Sequence, residues 1–285
     1  MPTLIDNRPG LSLQGPPPLA LRPGHDRGRG ARSNISGRYE REARSLADDG
    51  WETLAEAESC RTEVTVERAK SIITRNDSPD ISFDQSINPY RGCEHGCTYC
   101  YARPAHAYAG LSPGLDFETR IFAKPNAAER LREELSKPGY VPKTIALGSN
   151  TDPYQPIEKT WRITRSILEV LLDFNHPVGI VTKNALVLRD LDLLSALASK
   201  RLVKVALSVT TLDAHLSRSM EPRASAPHKR LDALARLSEA GVPTVAMLAP
   251  IIPALNDSEI EAILAAVARA GVAEAGYVLL RLPLE

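Results

Sequence analysis

The sequence predicts an α/β fold, a partial and open (β/α)6 barrel. From about residue 81 onward, short apolar segments alternate with longer segments whose apolar residues recur at helical spacing. This alternation is typical of βαβ units built around a parallel sheet. Six strand segments can be counted, two fewer than a full eight-stranded barrel needs. The sequence therefore favours an open barrel of six strands over a closed barrel of eight.

The predicted elements follow one another in a regular order. The six strands read ISFDQSI, KTIALGS, PVGIVTK, VKVALSV, PTVAMLAPI and AGYVLLRL. The helices between them read NAAERLREEL, TWRITRSILEVLLDF, LRDLDLLSALAS, APHKRLDALARLSEAG and NDSEIEAILAAVARAG. The second helix places Ile163, Ile167 and Leu171 on one face, as packing on a sheet requires. The last helix begins with Asn256 and Asp257, which are candidate N-caps.

The chain divides into three parts. Residues 1–45 are rich in proline, glycine and arginine, so we expect a disordered basic arm that either binds a polyanion or is simply solvated. Residues 46–80 form an N-terminal leader that begins with an acidic stretch, and residues 81–285 form the barrel. The sequence stops directly after the sixth strand, and we expect a barrel truncated at its C-terminus.

The composition is that of a soluble globular protein, with 43% hydrophobic and 25% charged residues. No apolar run reaches the roughly 18 residues of a membrane span, and no signal peptide is visible. We therefore expect a cytoplasmic protein without a membrane partner. The formal net charge is zero, so binding to nucleic acid would need a local basic patch.

Three closely spaced cysteines follow the first predicted strand. In the segment GCEHGCTYCYARP, Cys93, Cys97 and Cys100 have the spacing C-x3-C-x2-C. The fourth cysteine of the chain, Cys60, lies upstream of that strand. An odd cluster in a chain of 285 residues is not a disulfide framework. The spacing indicates a metal or redox site instead.

Three kinds of chemistry could use these thiols. A structural zinc site needs four ligands, so His95 or His106 would have to complete it. A redox pair would leave one cysteine unexplained. A cubane iron–sulfur cluster usually takes four thiolates, so three thiolates would leave one iron open to a small ligand. The position of the cysteines favours the cluster, because functional loops of parallel α/β folds collect after the strands.

The cysteine segment resembles the signature of the radical S-adenosylmethionine (SAM) superfamily, C-x3-C-x-aromatic-C after the first strand of a (β/α)6 barrel. Cys93, Cys97, Tyr99 and Cys100 match this signature residue by residue. NPYRGCEHGCTYCYAR, LGSNTDPYQPIE, TK, SVTT, MEPRA and APIIPALND occur in this order in the branch of spore photoproduct lyase and of proteins called DNA repair photolyases. The resemblance covers residues 85–282.

This resemblance implies a [4Fe–4S] cluster and SAM as cofactors. In the family, one iron binds the amino and carboxylate groups of SAM, and reduction releases methionine and a 5′-deoxyadenosyl radical that takes a hydrogen atom from the substrate. The resemblance implies Cys93, Cys97 and Cys100 as the metal ligands and Tyr99 as a contact of the adenine. It also implies an electron donor, such as flavodoxin or ferredoxin, as a partner.

Polar residues after the later strands resemble the SAM-binding positions of the family. The usual Gly-Gly-Glu after the second strand, which binds the SAM amino group in the family, is absent, so its role passes to Ser149, Asn150 and Asp152 without a choice among them. Each candidate has an ordinary structural alternative, such as a turn, a satisfied hydroxyl or a loop ion pair. The candidates are Ser149, Asn150, Asp152, Lys183, Ser208, Thr210 and Arg223.

The reaction itself stays open at this stage. Spore photoproduct lyase uses a cysteine downstream of its cluster motif as hydrogen donor, and no cysteine follows Cys100 here. Thymine-dimer reversal by that mechanism is therefore doubtful, and Tyr101 and Tyr154 are the candidates to replace the thiol. Three hypotheses remain: a radical SAM enzyme acting on nucleic acid as a lyase, one acting on a protein or small molecule, and a non-catalytic zinc protein that binds nucleic acid.

Overall fold

The protein is described by a computed structural model that covers residues 28–40, 61–79, 81 and 83–282. The predictions for residues 1–27 and 41–60, which include most of the basic arm, the acidic stretch and Cys60, lie outside the described residues. Within these residues, no helix is both long enough and apolar enough to cross a membrane.

The described residues contain ten strands and eight α-helices. The strands are β1 (Glu63–Val66), β2 (Thr74–Arg75), β3 (Gln85–Ile87), β4 (Tyr90–Arg91), β5 (Arg120–Ala123), β6 (Ile145–Leu147), β7 (Val178–Thr182), β8 (Val203–Ser208), β9 (Thr244–Ile251) and β10 (Glu274–Leu279). The helices are α1 (Asp116–Thr119), α2 (Ala127–Leu135), α3 (Glu158–Trp161), α4 (Ile163–Asp173), α5 (Leu191–Ser199), α6 (Ala214–Met220), α7 (Pro227–Glu239) and α8 (Ile260–Arg269). Short 3-10 helices span Arg103–Ala109, Ala185–Asp190 and Asp257–Glu259.

The main sheet confirms the predicted open barrel. Its strand order is β10-β9-β8-β7-β6-β3-β2. Six of its strands pair in parallel and in chain order, and they are the six strands predicted from the sequence: β3, β6, β7, β8, β9 and β10. Only β2 runs antiparallel, at the edge next to β3. All five predicted helices are also present, between the strands where the sequence placed them.

A second sheet of three strands was not predicted. β5 lies between β1, which pairs with it in parallel, and β4, which pairs with it antiparallel. These strands are only two to four residues long, which is too short for a period of two residues to stand out in the sequence. Through β5, the sheet connects the leader (β1) with the strand that precedes the cysteines (β4).

The core lies between the main sheet and its helices. In β9 buried and half-buried residues alternate strictly along the strand, because successive side chains point to opposite faces. The buried face packs against the helices in one continuous apolar cluster. The other face is lined by small residues such as Ala146, Gly179 and Ala206, which leave a cavity of 460 Å³ inside the open barrel.

Two predicted elements differ in detail. The helix predicted over residues 160–174 is interrupted at Arg162, whose left-handed φ of 52° ends α3 and precedes α4. Asn256, expected to cap the last helix, makes no side-chain cap. Its side chain instead donates to the carbonyls of Thr210 and Pro250, at 2.8 and 3.0 Å. Asn256 therefore ties two loops together at the carboxyl end of the sheet.

Part of the predicted basic arm lies within the described residues. Residues 28–40 pack against the segment after the cysteines, and Arg29 is buried with 7% exposure. Asn34 exchanges two hydrogen bonds with Asp116, at 2.8 and 3.1 Å. The composition of the arm did not reveal this docking, because polar hydrogen bonds and close backbone contacts hold it rather than an apolar face.

Candidate functional site

The candidate site lies at the carboxyl ends of the parallel strands. The cysteine loop follows β3 and β4, and the other candidate residues follow β6, β7 and β8. Because parallel strands all end at the same edge of a sheet, the open barrel gathers these loops at one place. The fold therefore explains how residues from Cys93 to Arg223 come together.

Backbone hydrogen bonds hold the cysteine loop. Cys93 N–H donates to Phe117 O, and Thr98 N–H donates to Met220 O, each at 2.9 Å. Gly92 and Gly96 have φ of 78° and 65°. In this left-handed region the backbone of any residue with a Cβ is strained, so glycine is favoured. The loop is thus anchored both to the segment that follows it and to the end of α6.

The three cysteines are free thiols that lie close enough for their charges to interact. Cys93 and Cys97 are buried, with 7% and 8% exposure, and Cys100 is half-buried. Burial raises the pKa of all three thiols. The cations of Lys183 and Arg230 act against this rise at Cys97.

This donor set fits an iron–sulfur cluster. Cluster irons are bound by thiolates, and three thiolates in a buried loop need nearby positive charge. Lys183, Arg230 and Arg103 supply that charge next to Cys97 and Cys100. A single metal ion would need at least three His, Cys, Asp or Glu side chains around one point, and the described part of the chain contains no such group.

Tyr99 is held by a buried carboxylate. Its hydroxyl donates to Glu221, whose side chain is fully buried. Glu221 also forms an ion pair with the buried Arg230, accepts from Thr210 Oγ1 at 2.7 Å and lies 3.4 Å from Lys183 Nζ. Burial alone would raise the pKa of Glu221, but Lys183 and Arg230 lower it far below its usual range. The charged Glu221 carboxylate therefore contacts three predicted site residues, which are Tyr99, Lys183 and Thr210.

A second carboxylate, Asp152, organises the loop after β6. Its two oxygens accept from Thr182 Oγ1 at 2.7 Å and from the Lys183 N–H at 2.8 Å. His95 Nδ1, inside the cysteine loop, lies 3.3 Å from the same carboxylate. Burial acts to raise the pKa of Asp152, and His95 with these hydrogen bonds lowers it. Asp152 thus connects the cysteine loop to the end of β7.

Ser149 and Asn150 are positioned by Asn88. The Asn88 side chain donates to Ser149 Oγ at 3.3 Å and accepts from the Asn150 N–H at 3.1 Å. Both residues are half-buried. The loop is therefore preorganised while its polar atoms keep partial access to solvent.

Ser208 and Arg223 lie on either side of α6. Ser208 is buried at the end of β8, and its carbonyl accepts from Arg230 Nη1 at 3.0 Å. Arg223 donates its N–H to His95 O at 3.2 Å, and its guanidinium donates to Glu94 at 3.1 Å. The Arg223 side chain keeps 34% exposure, so it remains partly accessible beside the cysteine loop.

The two candidate tyrosines differ in their surroundings. Tyr101 is 63% exposed, and its hydroxyl donates to the carbonyl of Ser149. Tyr154 is fully buried in the main core, and its hydroxyl donates to Asp190 at 3.1 Å. Of the two, Tyr101 alone presents its ring to the surface beside the site.

Sequence reasoning missed Arg230 and Asn88. Arg230 does carry a signal, because it interrupts the buried stripe of α7 that includes Pro227, Ala233, Leu234 and Leu237. A charged residue on such a stripe requires a buried partner, which is Glu221. Asn88 carries no comparable signal, since asparagine is common in loops after strands.

Comparison with known proteins gives the family. Residues 87–267 match the family described as "Radical SAM superfamily". An uncharacterised protein of Mycobacterium tuberculosis is 39% identical over 193 residues, which are 67% of this chain and 57% of that protein. A protein of Pseudomonas phage M6, named radical SAM Nalpha-GlyT isomerase, is 26% identical over 181 residues, which are 61% of this chain and 35% of that protein.

A solved structure shows the same fold. A mutant of spore photoproduct lyase with bound AdoMet and dinucleoside spore photoproduct superposes with a TM-score of 0.59 and 17% sequence identity. The superposition covers 85% of this chain and 69% of that one. The predicted fold is confirmed, and the predicted cofactors, a [4Fe–4S] cluster and SAM, are those that the family uses. The chain belongs to the radical SAM superfamily.

Proposed function

We propose that this protein is a radical SAM enzyme whose cluster is held by Cys93, Cys97 and Cys100. The observation that carries the proposal is the loop of three free thiols, set at the carboxyl edge of a parallel sheet and faced by cations. When bound, the cluster and SAM supply an electron and a 5′-deoxyadenosyl radical for hydrogen abstraction. Superfamily membership favours this interpretation over the zinc-binding alternative.

The side chains around the loop are suited to bind SAM. Tyr99, fixed at its hydroxyl by Glu221, would offer its ring to the adenine. Lys183, which lies 3.4 Å from Glu221, and Arg223, which pairs with Glu94 but keeps 34% exposure, would turn toward the SAM carboxylate, and a guanidinium can bind it in a bidentate way. Ser208 and Thr210 would serve the ribose, and Ser149 and Asn150 the amino group.

Asp152 takes a different role in the proposal. Both of its oxygens already accept hydrogen bonds from the neighbouring loop. We therefore assign Asp152 to positioning: it holds the loop after β7 and the cysteine loop through His95. Tyr101, exposed beside Ser149, is the proposed hydrogen donor or acceptor toward the substrate, and the buried position of Tyr154 does not suit that role.

For the substrate, we propose a nucleic acid, with lyase or isomerase chemistry on a base. The dinucleoside spore photoproduct bound in spore photoproduct lyase supports the nucleic-acid class, and the name of the phage relative, an isomerase, supports isomerase chemistry. The 1–45 arm, which is rich in arginines besides the buried Arg29, would add phosphate contacts. A protein or small-molecule substrate is the alternative. We also propose a cytoplasmic location and a flavodoxin or ferredoxin as electron donor.

Iron content and SAM cleavage test the proposal. The chain, purified and reconstituted without oxygen, should bind about four irons per chain and should form 5′-deoxyadenosine from SAM when dithionite is added. Cys97→Ala should remove both properties, whereas Cys60→Ala, outside the cysteine loop, should keep both. A colourless protein with one bound zinc would refute the proposal.

The substrate class needs a second measurement. The rate of 5′-deoxyadenosine formation is measured in the presence of ultraviolet-treated DNA, of undamaged DNA or of a peptide mixture, and the three rates are compared. The proposal predicts faster turnover with DNA and a modified base in the product, detected by mass spectrometry. A rate that rises only with peptides would refute a nucleic-acid substrate and support the alternative, a protein substrate.

A further inference from the structure

Residues 29–34, here called the clasp, lie against the cysteine loop. The backbone N–H groups of Gly30 and Ala31 donate to the two carboxylate oxygens of Glu118, at 3.0 and 2.8 Å. Arg29 donates to the Glu118 carbonyl at 2.8 Å. At the other end, Asn34 exchanges hydrogen bonds with Asp116. The clasp is thus bound at both ends to α1.

Glu118 connects the clasp to the carbonyl of a cysteine. Its side chain is fully buried and forms a 2.6 Å ion pair with Arg103. Arg103 in turn donates to Cys97 O from Nε and Nη2, at 3.2 and 2.9 Å. A buried carboxylate is stable only when it is paired and hydrogen-bonded. Clasp, carboxylate, guanidinium and Cys97 therefore form one connected unit.

Two glycines bring the clasp into direct backbone contact with the loop. A Cβ on Gly30 would lie 1.8 Å from the Gly96 carbonyl oxygen, and one on Gly96 would lie 2.7 Å from Glu118 Oε2. Gly30 does not have a positive φ, so its lack of a side chain is required by space and not by backbone conformation. Backbone thus packs on backbone between Cys93 and Cys97.

We propose that the clasp closes over the cysteine loop and shields its thiols, and that Glu118 is the positioning residue that holds it closed. The closure is a property of the chain without any metal. Its use, which is to limit access of oxygen and solvent to the cluster, rests on the proposed function. Neither Glu118 nor the clasp is assigned a chemical step.

The test measures access to the thiols in the iron-free protein. The full chain, reduced and freed of metal, is treated with iodoacetamide, and the alkylation rate of Cys97 is followed by peptide mass spectrometry. Gly30→Ala should raise this rate by roughly tenfold, which corresponds to about 1.4 kcal/mol of lost protection. This substitution changes no charge, so an altered rate reports access.

Matched controls separate closure from general destabilisation. Gly179→Ala introduces the same methyl group where the nearest atom is 3.9 Å away, and it should leave the rate unchanged. Glu118→Gln removes the charge that holds the clasp and should accelerate alkylation as Gly30→Ala does. Glu158→Gln neutralises another fully buried carboxylate, paired with Arg189, and should not change the rate in the folded fraction.

Circular dichroism confirms that each variant is folded before labelling. If Gly30→Ala does not fold, Asn34→Ala is the milder variant, because it removes only the hydrogen bonds to Asp116. Equal Cys97 rates in the wild type and in all folded clasp variants would overturn the proposal. Suppose that the clasp variants are alkylated faster at Cys97 but that the wild type binds no iron–sulfur cluster. The proposal of the clasp would then be supported, and the proposed function would be refuted.

Discussion

The ion pair between Arg230 and Glu221 gives the sharpest test of how this site is held together. Both side chains are buried, with at most 1% exposure. Replacing Arg230 by methionine keeps a similar length and leaves the Glu221 carboxylate without its closest cation. Breaking one partner of a buried pair costs about 3–5 kcal/mol.

The remaining contacts define where in that range the effect should fall. Glu221 keeps Lys183 at 3.4 Å and the hydrogen bond from Thr210, which limits the loss. The carbonyls of Ser225 and Ser208, however, lose their hydrogen bonds from Arg230, of 2.6 and 3.0 Å. Ser225 is half-buried and its carbonyl can turn to water, whereas an unsatisfied buried acceptor such as the Ser208 carbonyl costs about 1–3 kcal/mol. We expect Arg230→Met to lower the free energy of unfolding by about 4 kcal/mol.

Urea denaturation of the iron-free full chain, followed by circular dichroism, measures this difference. Lys204→Met is the control, because Lys204 and Glu274 form an exposed pair at 2.8 Å, which should contribute at most about 1 kcal/mol. Adding Glu221→Gln to Arg230→Met should restore part of the stability, since a neutral amide needs no cation. A loss no larger than that of Lys204→Met would refute the reasoning.

Three other side chains give further tests of burial and charge. Tyr99→Phe should lower the free energy of unfolding by about 1.5–3 kcal/mol, because Glu221 loses a donor; an unchanged urea midpoint would contradict this. NMR titration should give Asp192 a pKa of about 2, owing to the hydrogen bonds from Arg165. Arg165→Ala should return that pKa to about 4, and the small stabilisation by this exposed pair should be lost as the pH falls from about 4 to 2. Burial lowers the pKa of His176, so the unfolded chain binds the proton first and stability should fall as the pH drops below about 6.5. His176→Gln should flatten this slope in urea titrations between pH 7 and 5, and parallel slopes in both proteins would contradict the assignment.

The sequence alone determined the main architecture and the metal-binding residues to be tested. Apolar periodicity located six strands and five helices, because parallel strands and the helices that cover them must each bury a face of fixed period. The segment with Cys93, Cys97, Tyr99 and Cys100 resembles the signature of the superfamily, and the family match over residues 87–267 confirms that resemblance. The order of the strands in the main sheet follows from the alternation of strands and helices, since βαβ units place consecutive strands side by side.

Only the tertiary structure decided which charges meet. The partners of Glu221 come from α7 and from the ends of β7 and β8, and no local pattern connects residues that far apart in the chain. The tertiary structure also showed that Tyr101 is exposed and Tyr154 is buried. It showed that the backbone of Gly30 contacts that of Gly96, which lies 66 positions later in the chain. Periodicity records which face of an element is buried, whereas pairing between buried polar groups depends on how the elements cross in space.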